Sequence, residues 1–146
     1  MFLAEMERML GEEYQAFLAS SRESEILSLR VNLLKGSAQK LAEQTDFLLE
    51  EVPWAKGGFY YRADARPGRH PFHEAGAYYI QEASAMAPAA ALGARPGERV
   101  LDLCAAPGGK STQLASDMKG EGLLVSNEIH PARARILSEN IELKAR

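Results

Sequence analysis

The sequence predicts an α/β fold, in which a small N-terminal α/β module precedes the first strand–helix–strand–helix part of a second domain. Residues 99–143 alternate short apolar strands with helical segments, which is typical of a right-handed βαβ unit with parallel strands. Residues 27–61 combine alternating and aromatic runs with a helical segment, and a loop rich in glycine and proline follows them. We therefore expect one module over 1–75 and the start of a second domain over 76–146.

Each element of the N-terminal part has a local signal. Apolar residues at helical spacing predict helices over 2–10 and 12–19. The run from Leu27 to Leu33 alternates apolar and polar residues, which predicts a strand. Ser37 is a good N-cap, so we expect it to begin a helix that runs to about Glu51. The aromatic run 59–61 predicts a short strand.

The C-terminal part has a more regular pattern. Glycines and prolines separate its apolar segments, so the ends of the elements are well marked. The predicted elements are a helix over 81–92 that bends or restarts at Pro88, a buried strand over 99–103, a helix over 110–118, a strand over 123–126 and a helix over 131–143.

Composition excludes several classes of protein. The chain has 146 residues and a formal net charge of −3, which argues against a generally basic nucleic-acid binder. No apolar run reaches the ~18 residues of a membrane span, and the first residues lack the basic region of a secretory signal. The single cysteine, Cys104, excludes an intrachain disulfide framework and fits the reducing cytoplasm, which is the expected location.

The segment from Asp102 to Ser111, DLCAAPGGKS, contains the most chemical information. It joins a predicted strand to the start of a helix, where free N–H groups and the helix dipole favour a carboxylate or a phosphate. Gly108 and Gly109 have no side chains, so we expect a ligand to approach their backbone closely. Glu128 follows the second strand, where an acid accepts hydrogen bonds from ribose hydroxyls in dinucleotide-type folds.

Three ligands compete for such a loop. A phosphate-binding P-loop requires G-x-x-x-x-G-K-[ST]; Gly109-Lys110-Ser111 matches its end, but Cys104 occupies its first glycine position. Pro107 also removes one N–H group from a phosphate cradle. The G-x-G-x-x-G pattern of NAD sites is absent. S-adenosylmethionine remains, with its carboxylate at the helix start and its ribose near Glu128.

Several segments together resemble the Nop/Sun family of S-adenosylmethionine-dependent RNA cytosine-C5 methyltransferases, and in particular its branch that acts on bacterial small-subunit ribosomal RNA. The segments that carry the resemblance are 29–35 (LRVNLLK), 79–86 (YIQEASAM), 100–111 (VLDLCAAPGGKS), 127–129 (NEI) and Arg133. The resemblance implies a Rossmann-like methyltransferase domain. It also implies that the cofactor contacts Cys104, Ala105, Ala106, Pro107, Gly108, Gly109, Lys110 and Glu128.

The chain also departs from that family. Members are several times longer, and their two catalytic cysteines lie on later strands, one of them in a Pro-Cys pair that this sequence lacks. The resemblance therefore implies an N-terminal piece of a methyltransferase that holds no catalytic residue and is inactive alone. Cys104 belongs to the predicted cofactor loop, and we expect it to be a small packed residue. His70 and His73 have no further ligands nearby, so we expect no metal site.

A basic segment is the candidate contact with RNA. Residues 52–73 contain four basic side chains against Asp64, and aromatic residues occur among them. The basic residues are Lys56, Arg62, Arg66 and Arg69. This pattern favours phosphate contacts and stacking of unpaired bases, while the competing interpretation makes the aromatic residues a small core.

The partners implied are ribosomal RNA or the small ribosomal subunit, without a membrane or a metal ion. Self-association is also expected, because the first strands of a parallel sheet leave an uncovered apolar face. A non-catalytic RNA-binding module and a P-loop-like nucleotide-binding protein remain alternatives at this stage.

Overall fold

The structure, a computed structural model, describes residues 1–21 and 26–144. Its helices are α1 (Phe2–Leu10), α2 (Tyr14–Ser20), α3 (Ala38–Gln44), α4 (Pro71–Glu74), α5 (Ala83–Leu92), α6 (Gly109–Asp117) and α7 (Pro131–Lys144). Its strands are β1 (Ser28–Val31), β2 (Leu48–Glu51), β3 (Gly58–Tyr61), β4 (Tyr78–Ile80), β5 (Arg99–Asp102) and β6 (Leu123–Ser126). The first four strands form one antiparallel sheet in the order β2–β3–β1–β4, and β5 and β6 form a parallel pair.

The strand β1 is the centre of the first sheet and is buried along its whole length. Leu29 pairs with Phe59 on one side and with Ile80 on the other. Its apolar side chains pack in a core formed by Leu29, Val31, Leu41, Phe47, Phe59 and Tyr78. The strand β4, which follows the predicted boundary at residue 75, pairs with β1 in this sheet, and we count it with the N-terminal unit.

The prediction of one long helix from Ser37 to about Glu51 is wrong for its second half. Ser37 does cap α3, since its hydroxyl oxygen accepts a 3.3 Å hydrogen bond from the Lys40 N–H. The helix ends at Gln44, however, and Leu48–Glu51 forms β2. Pairing of β2 with β3 and burial of Phe47 in the core outweigh the helical spacing of the leucines.

The predicted strands and helices of the second unit are confirmed to within two residues, and α5 is continuous through Pro88. The strand over 99–103 is less buried than predicted. Val100 and Leu124 pack against Leu114 and Met118, so one face of the pair is covered. On the opposite face Leu101 is 58% exposed and Val125 is 47% exposed.

Candidate functional site

The segment 103–108 forms a tight loop between β5 and α6, at the carboxyl end of the parallel pair. Gly108 precedes the helix with a φ of 115°, a conformation that side chains disfavour. The N–H groups of Gly109, Lys110 and Ser111 donate to no acceptor within the described part of the chain. Three donors at a helix start are suited to a carboxylate or a phosphate oxygen.

A chain of hydroxyl groups ties the strand ends to this loop. Asp102 Oδ2 accepts a 2.7 Å hydrogen bond from Ser111 Oγ, and Ser126 Oγ donates to Ser111 Oγ at 2.9 Å. Ser111 is fully buried, so these groups are shielded from solvent. Asn127 continues the connection, because its carbonyl accepts from the Ala105 N–H at 2.9 Å. The ends of β5 and β6 and the first turn of α6 are therefore held together.

The last helix, α7, holds the loop from its other side. Arg133 Nη2 donates to the Ala106 carbonyl at 2.8 Å, and Asn140 Nδ2 donates to the Pro107 carbonyl at 2.8 Å. These two carbonyls belong to neighbouring residues of the loop. Between the two contacts, Leu137 packs with Ala105 and Ala106. The backbone of the loop is therefore held by side chains of α7, which follows the loop by more than twenty residues in the sequence.

Glu128 lies at the same edge of the sheet, two residues after β6. Its Oε1 accepts a 3.0 Å hydrogen bond from the His130 N–H, and its Oε2 lies 3.5 Å from Arg133 Nη1. The N–H of His130, assisted by the charge of Arg133, holds the pKa of Glu128 below its ordinary value. The same guanidinium binds the Ala106 carbonyl, so it places an ionised carboxylate beside the loop.

The two loop glycines pack closely against other parts of the chain. A Cβ atom on Gly108 would lie 3.3 Å from Asn140 Cβ and from Leu137 Cδ1. A Cβ atom on Gly109 would lie 3.3 Å from the side-chain amide of Gln81. A side chain at either position would therefore crowd α7 or the N-terminal unit, and the approach of a ligand to the backbone of these glycines stays a prediction.

The remaining predicted cofactor residues differ in their exposure and in the concave surfaces that they line. The expectation that Cys104 is a packed residue is wrong, because the loop that follows β5 leaves this side chain exposed. Lys110 at the start of α6 is exposed as well. Lys110 lines a cavity of about 230 Å³ with Leu101, Asp102 and Leu103. Glu128 lines a groove of about 540 Å³ between β6 and α7. The structure thus brings 104–110 and Glu128 to one edge, with a concave surface on each flank.

The predicted RNA-contacting residues do not form one cluster. Lys56 precedes β3 and lines a cleft of about 730 Å³ against α5 and α6. Arg62 follows the other end of β3 and is paired with Asp64 at 3.1 Å and with Asp46 at 3.6 Å. Arg66 and Arg69 are exposed around the turn Pro67–Arg69.

The aromatic residues of this basic segment favour the competing interpretation. Phe59 is buried in the core of the first sheet, and Tyr61 packs against that core. Tyr60 packs against a second cluster that contains Val52 and Met86. Trp54 is the exception, since its side chain is 46% exposed. Phe59 is therefore a core residue, and Tyr60 and Tyr61 are half-buried, as the competing interpretation expects, while stacking of bases on the stretch 54–72 stays a prediction.

Residues 1–21 and 26–144 hold neither a candidate metal cluster nor a candidate membrane span. No group of three or more His, Cys, Asp and Glu side chains there is arranged to hold a metal ion. No helix in the same ranges is both long enough and apolar enough to cross a membrane.

Sequence analysis did not identify Asn140 as a group that holds the loop, and it gave Arg133 only as part of the family resemblance. Both residues lie on a helix whose sequence shows no clear apolar face, so the direction of their side chains could not be inferred. Asp102 belongs to the recognised motif, but its bond to Ser111 depends on tertiary structure. The resemblance was therefore the available signal for Arg133, and Asn140 had none.

Comparisons with known proteins agree with this architecture. A family model described as the N-terminal domain of 16S rRNA methyltransferase RsmF matches residues 1–83, and one described as 16S rRNA methyltransferase RsmB/F matches residues 89–144. The ribosomal RNA small subunit methyltransferase F of Vibrio cholerae is 40% identical over 97% of this chain, and that of Erwinia tasmaniensis is 39% identical over 96%. The chain spans 32% of the length of each.

Solved structures show the same fold. A methyltransferase homologue from Pyrococcus horikoshii superimposes with a TM-score of 0.84 and 31% identity, over 99% of this chain and 53% of its own. NSun6 from Pyrococcus horikoshii, solved with SFG, has a TM-score of 0.81 and 18% identity, over 99% of this chain and 62% of its own. The family models and the fold together show that this chain belongs to the RsmF family of 16S rRNA methyltransferases.

Proposed function

We propose that the chain forms the cofactor-binding part of an S-adenosylmethionine-dependent methyltransferase that modifies C5 of cytosine in ribosomal RNA. The observation that supports this most directly is the set of three unpartnered N–H groups at the start of α6, with an ionised Glu128 at the same edge. The N–H groups suit the methionyl carboxylate, and the carboxylate of Glu128 suits ribose hydroxyls. The cofactor, when bound, supplies the methyl group.

The proposed contacts are the loop Cys104, Ala105, Ala106, Pro107, Gly108 and Gly109, together with Lys110 and Glu128. Lys110 is exposed at the helix start, from which its ammonium reaches a carboxylate held by the N–H groups. Glu128 Oε1 accepts one hydrogen bond, from the His130 N–H, and Oε2 lies 3.5 Å from Arg133 Nη1 in an ion pair, so both oxygens keep lone pairs for hydroxyl groups. The donor set therefore fits the proposed cofactor.

We propose that the chain alone does not transfer a methyl group. Cytosine C5 is a weak nucleophile until a thiolate adds at C6, so the reaction needs a cysteine beside the base. Cys104 lies in the loop, where its N–H donates to Asp102 Oδ1 at 3.3 Å. A thiol also needs a base or a lowered pKa to react, and no hydrogen bond joins the thiol of Cys104 to a His or Lys side chain in the described part of the chain.

The experiment incubates the purified chain with labelled S-adenosylmethionine and small-subunit ribosomal RNA. No label is expected in the RNA. Transfer that Cys104→Ser abolishes would contradict the proposed role of Cys104. A separate measurement by calorimetry, with S-adenosylhomocysteine and ATP as ligands, tests the site itself: we expect weak binding of the first and none of the second.

We propose that the RNA contact of the N-terminal unit uses Lys56, Arg62, Arg66 and Arg69, in the cytoplasm where ribosomal subunits assemble. All four side chains are exposed, and they give residues 52–73 an excess of positive charge in a chain that is acidic overall. Arg62 contributes least, because Asp46 and Asp64 already pair with it. Phosphate contacts release counterions, so binding should weaken steeply as salt rises.

The test replaces Arg62, Arg66 and Arg69 together by Glu. RNA retention at low salt should be lost while the melting temperature stays nearly unchanged, since the three side chains are exposed. Lys40→Glu is the matched control, because Lys40 is exposed on α3 of the same unit. Equal retention by the triple variant and the control would show that these arginines are only a solvated surface.

We also propose that the uncovered face of the parallel pair causes self-association of this chain. Leu101, Leu103, Leu123 and Val125 are each between 47% and 65% exposed. Contiguous apolar surface of this kind associates in water. Sedimentation velocity should show a concentration-dependent dimer that Leu101→Lys with Val125→Lys converts to monomer; a wild-type chain that stays monomeric at high concentration would refute this.

A further inference from the structure

A buried arginine connects the two units of the chain. Arg30 lies on β1, the central strand of the first sheet, and is only 3% exposed. Burial lowers the pKa of Arg30 to about 10, so the side chain remains a cation at neutral pH. A buried cation is costly unless its N–H groups have acceptors, and the acceptors of Arg30 therefore show what it does.

Two of those acceptors belong to the first turn of α6. Arg30 Nη2 donates to the Gly109 carbonyl at 3.0 Å and to Thr112 Oγ1 at 2.8 Å. Thr112 Oγ1 in turn donates to the Gly109 carbonyl at 3.1 Å. The guanidinium thus holds both ends of the helical turn whose N–H groups are unpartnered.

A third acceptor fixes the direction of the arginine. Arg30 Nε donates to Gln81 Oε1 at 3.3 Å, and Gln81 Nε2 donates to the Ala85 carbonyl at 3.1 Å. The backbone of Gln81 is held as well, because Ser28 Oγ donates to its carbonyl at 2.7 Å. The side chain of Gln81 occupies the space beside Gly109 that a Cβ atom would need.

We infer that Arg30 is a positioning residue, through which the N-terminal unit sets the orientation of the loop and of the first turn of α6. The planar guanidinium donates in two directions at fixed angles, which a lysine ammonium on a flexible stem does not reproduce. The inference deepens the proposed function, because the turn that Arg30 holds is the one proposed to bind the cofactor carboxylate. It assigns the N-terminal unit a task other than contact with RNA.

The test reads the loop directly. Cys104 is exposed and is the only cysteine of the sequence, so a trifluoromethyl label on its sulfur reports the loop by ¹⁹F NMR. Hydrogen exchange of the segment 112–114, whose N–H groups bond back to the start of the helix, reports the first turn of α6. Arg30→Lys should change the ¹⁹F shift and raise the exchange rate of this segment by about tenfold, because two hydrogen bonds to the turn are lost.

Thr112→Val provides a second variant that leaves β1 intact. It removes one acceptor of Arg30 while keeping nearly the same volume, so it should change both signals in the same direction, even if Arg30→Lys folds poorly. The matched control is Tyr78→Phe, which removes the 2.8 Å hydrogen bond from the Tyr78 hydroxyl to the Pro67 carbonyl. That bond is buried, and both of its partners belong to the first unit.

The outcomes separate a positioning role from general stability. The inference is supported if Arg30→Lys and Thr112→Val both change the ¹⁹F shift and the exchange rate. The control Tyr78→Phe must lower the melting temperature by a similar amount without changing either signal. Signals equal to those of the wild type in Thr112→Val, or equal changes in Tyr78→Phe, overturn it. The readout needs no cofactor, so failure of S-adenosylhomocysteine to bind the wild type would count against the proposed function alone.

Discussion

Arg133 and Ala106 are joined by a 2.8 Å hydrogen bond from the guanidinium Nη2 to the carbonyl oxygen. The other terminal nitrogen of the same guanidinium lies 3.5 Å from the carboxylate of Glu128. The loop and the proposed ribose-binding acid are therefore attached to one side chain of α7. Because Arg133 binds both groups, a shift of α7 would move the loop and the Glu128 carboxylate together and keep the distance between them.

Replacing Glu128 tests the proposed ribose contact. Glu128→Ala should weaken binding of S-adenosylhomocysteine by about tenfold or more, because charged hydrogen bonds to hydroxyl groups are lost. Isothermal titration calorimetry measures the change. Glu139→Ala is the control, since Glu139 is exposed on α7 and has the same charge. Identical affinities for Glu128→Ala and the wild type would contradict the assignment.

Gly108 and Gly120 allow a matched comparison of backbone strain. Both have positive φ values, 115° and 76°, but only Gly108 has neighbours within 4 Å of an added Cβ atom. Gly120→Ala should cost about 1 kcal/mol or more through its conformation, and Gly108→Ala should cost clearly more because α7 must move. Urea unfolding measures both. If Gly120→Ala is at least as destabilising as Gly108→Ala, contact with α7 does not add to the cost of a side chain at Gly108.

Asn140 should matter to stability through one hydrogen bond. Asn140→Ala removes its 2.8 Å bond to the Pro107 carbonyl, and we expect a loss of about 1 kcal/mol in the free energy of unfolding. Ser138→Ala, on an exposed position of the same helix, should change it by less than about 0.5 kcal/mol. If thermal unfolding shows the two variants to be equally stable, the contact does not hold the loop.

Tyr78 should make stability depend on pH in alkaline solution. Burial raises the pKa of Tyr78 to about 12, above the value of 10.0 that applies in the unfolded chain. A raised pKa in the folded state stabilises the fold fully below pH 10, and this contribution is lost as the pH rises toward 12.

The measurement compares the wild type with Tyr78→Phe by urea unfolding between pH 8 and pH 12. Taking the difference between the two proteins removes the titration of other groups, such as Arg30. The stability advantage of the wild type should stay constant up to about pH 10 and fall above it. A difference that remains flat through pH 12 would show that the phenol ionises with its ordinary pKa.

Sequence patterns predicted the second unit well because its signals are local. Gly97, Gly120 and Gly122 mark the turns, and each segment between them has the pattern of a single short strand or helix. The loop 103–108 and Glu128 were placed correctly at the carboxyl ends of β5 and β6 for the same reason, since parallel strands bring their ends to one edge. The roles proposed for these residues remain predictions.

The failures arise where pairing between distant segments decides the structure. Leu48–Glu51 has helical spacing after α3, yet it becomes a strand because β3 offers a partner. The alternation in β1 predicted a strand, but the surroundings of its polar side could not be inferred: Ser28, Arg30 and Asn32 are all buried, and they face other parts of the chain rather than water.

The amide of Asn32 has a consequence for how the chain is made. Its Nδ2 donates to the carbonyls of Gly76 and Lys144, and the second partner is 112 positions later in the sequence. Lys35 likewise reaches the Leu143 carbonyl, 108 positions later. During synthesis the first sheet can pair as soon as β4 has left the ribosome, but these polar groups stay hydrated until α7 emerges. Full docking of the two units therefore waits until α7 has been synthesised, and a pause before residue 143 would prolong the lifetime of a nascent chain whose first sheet is formed while Asn32 and Lys35 are still hydrated.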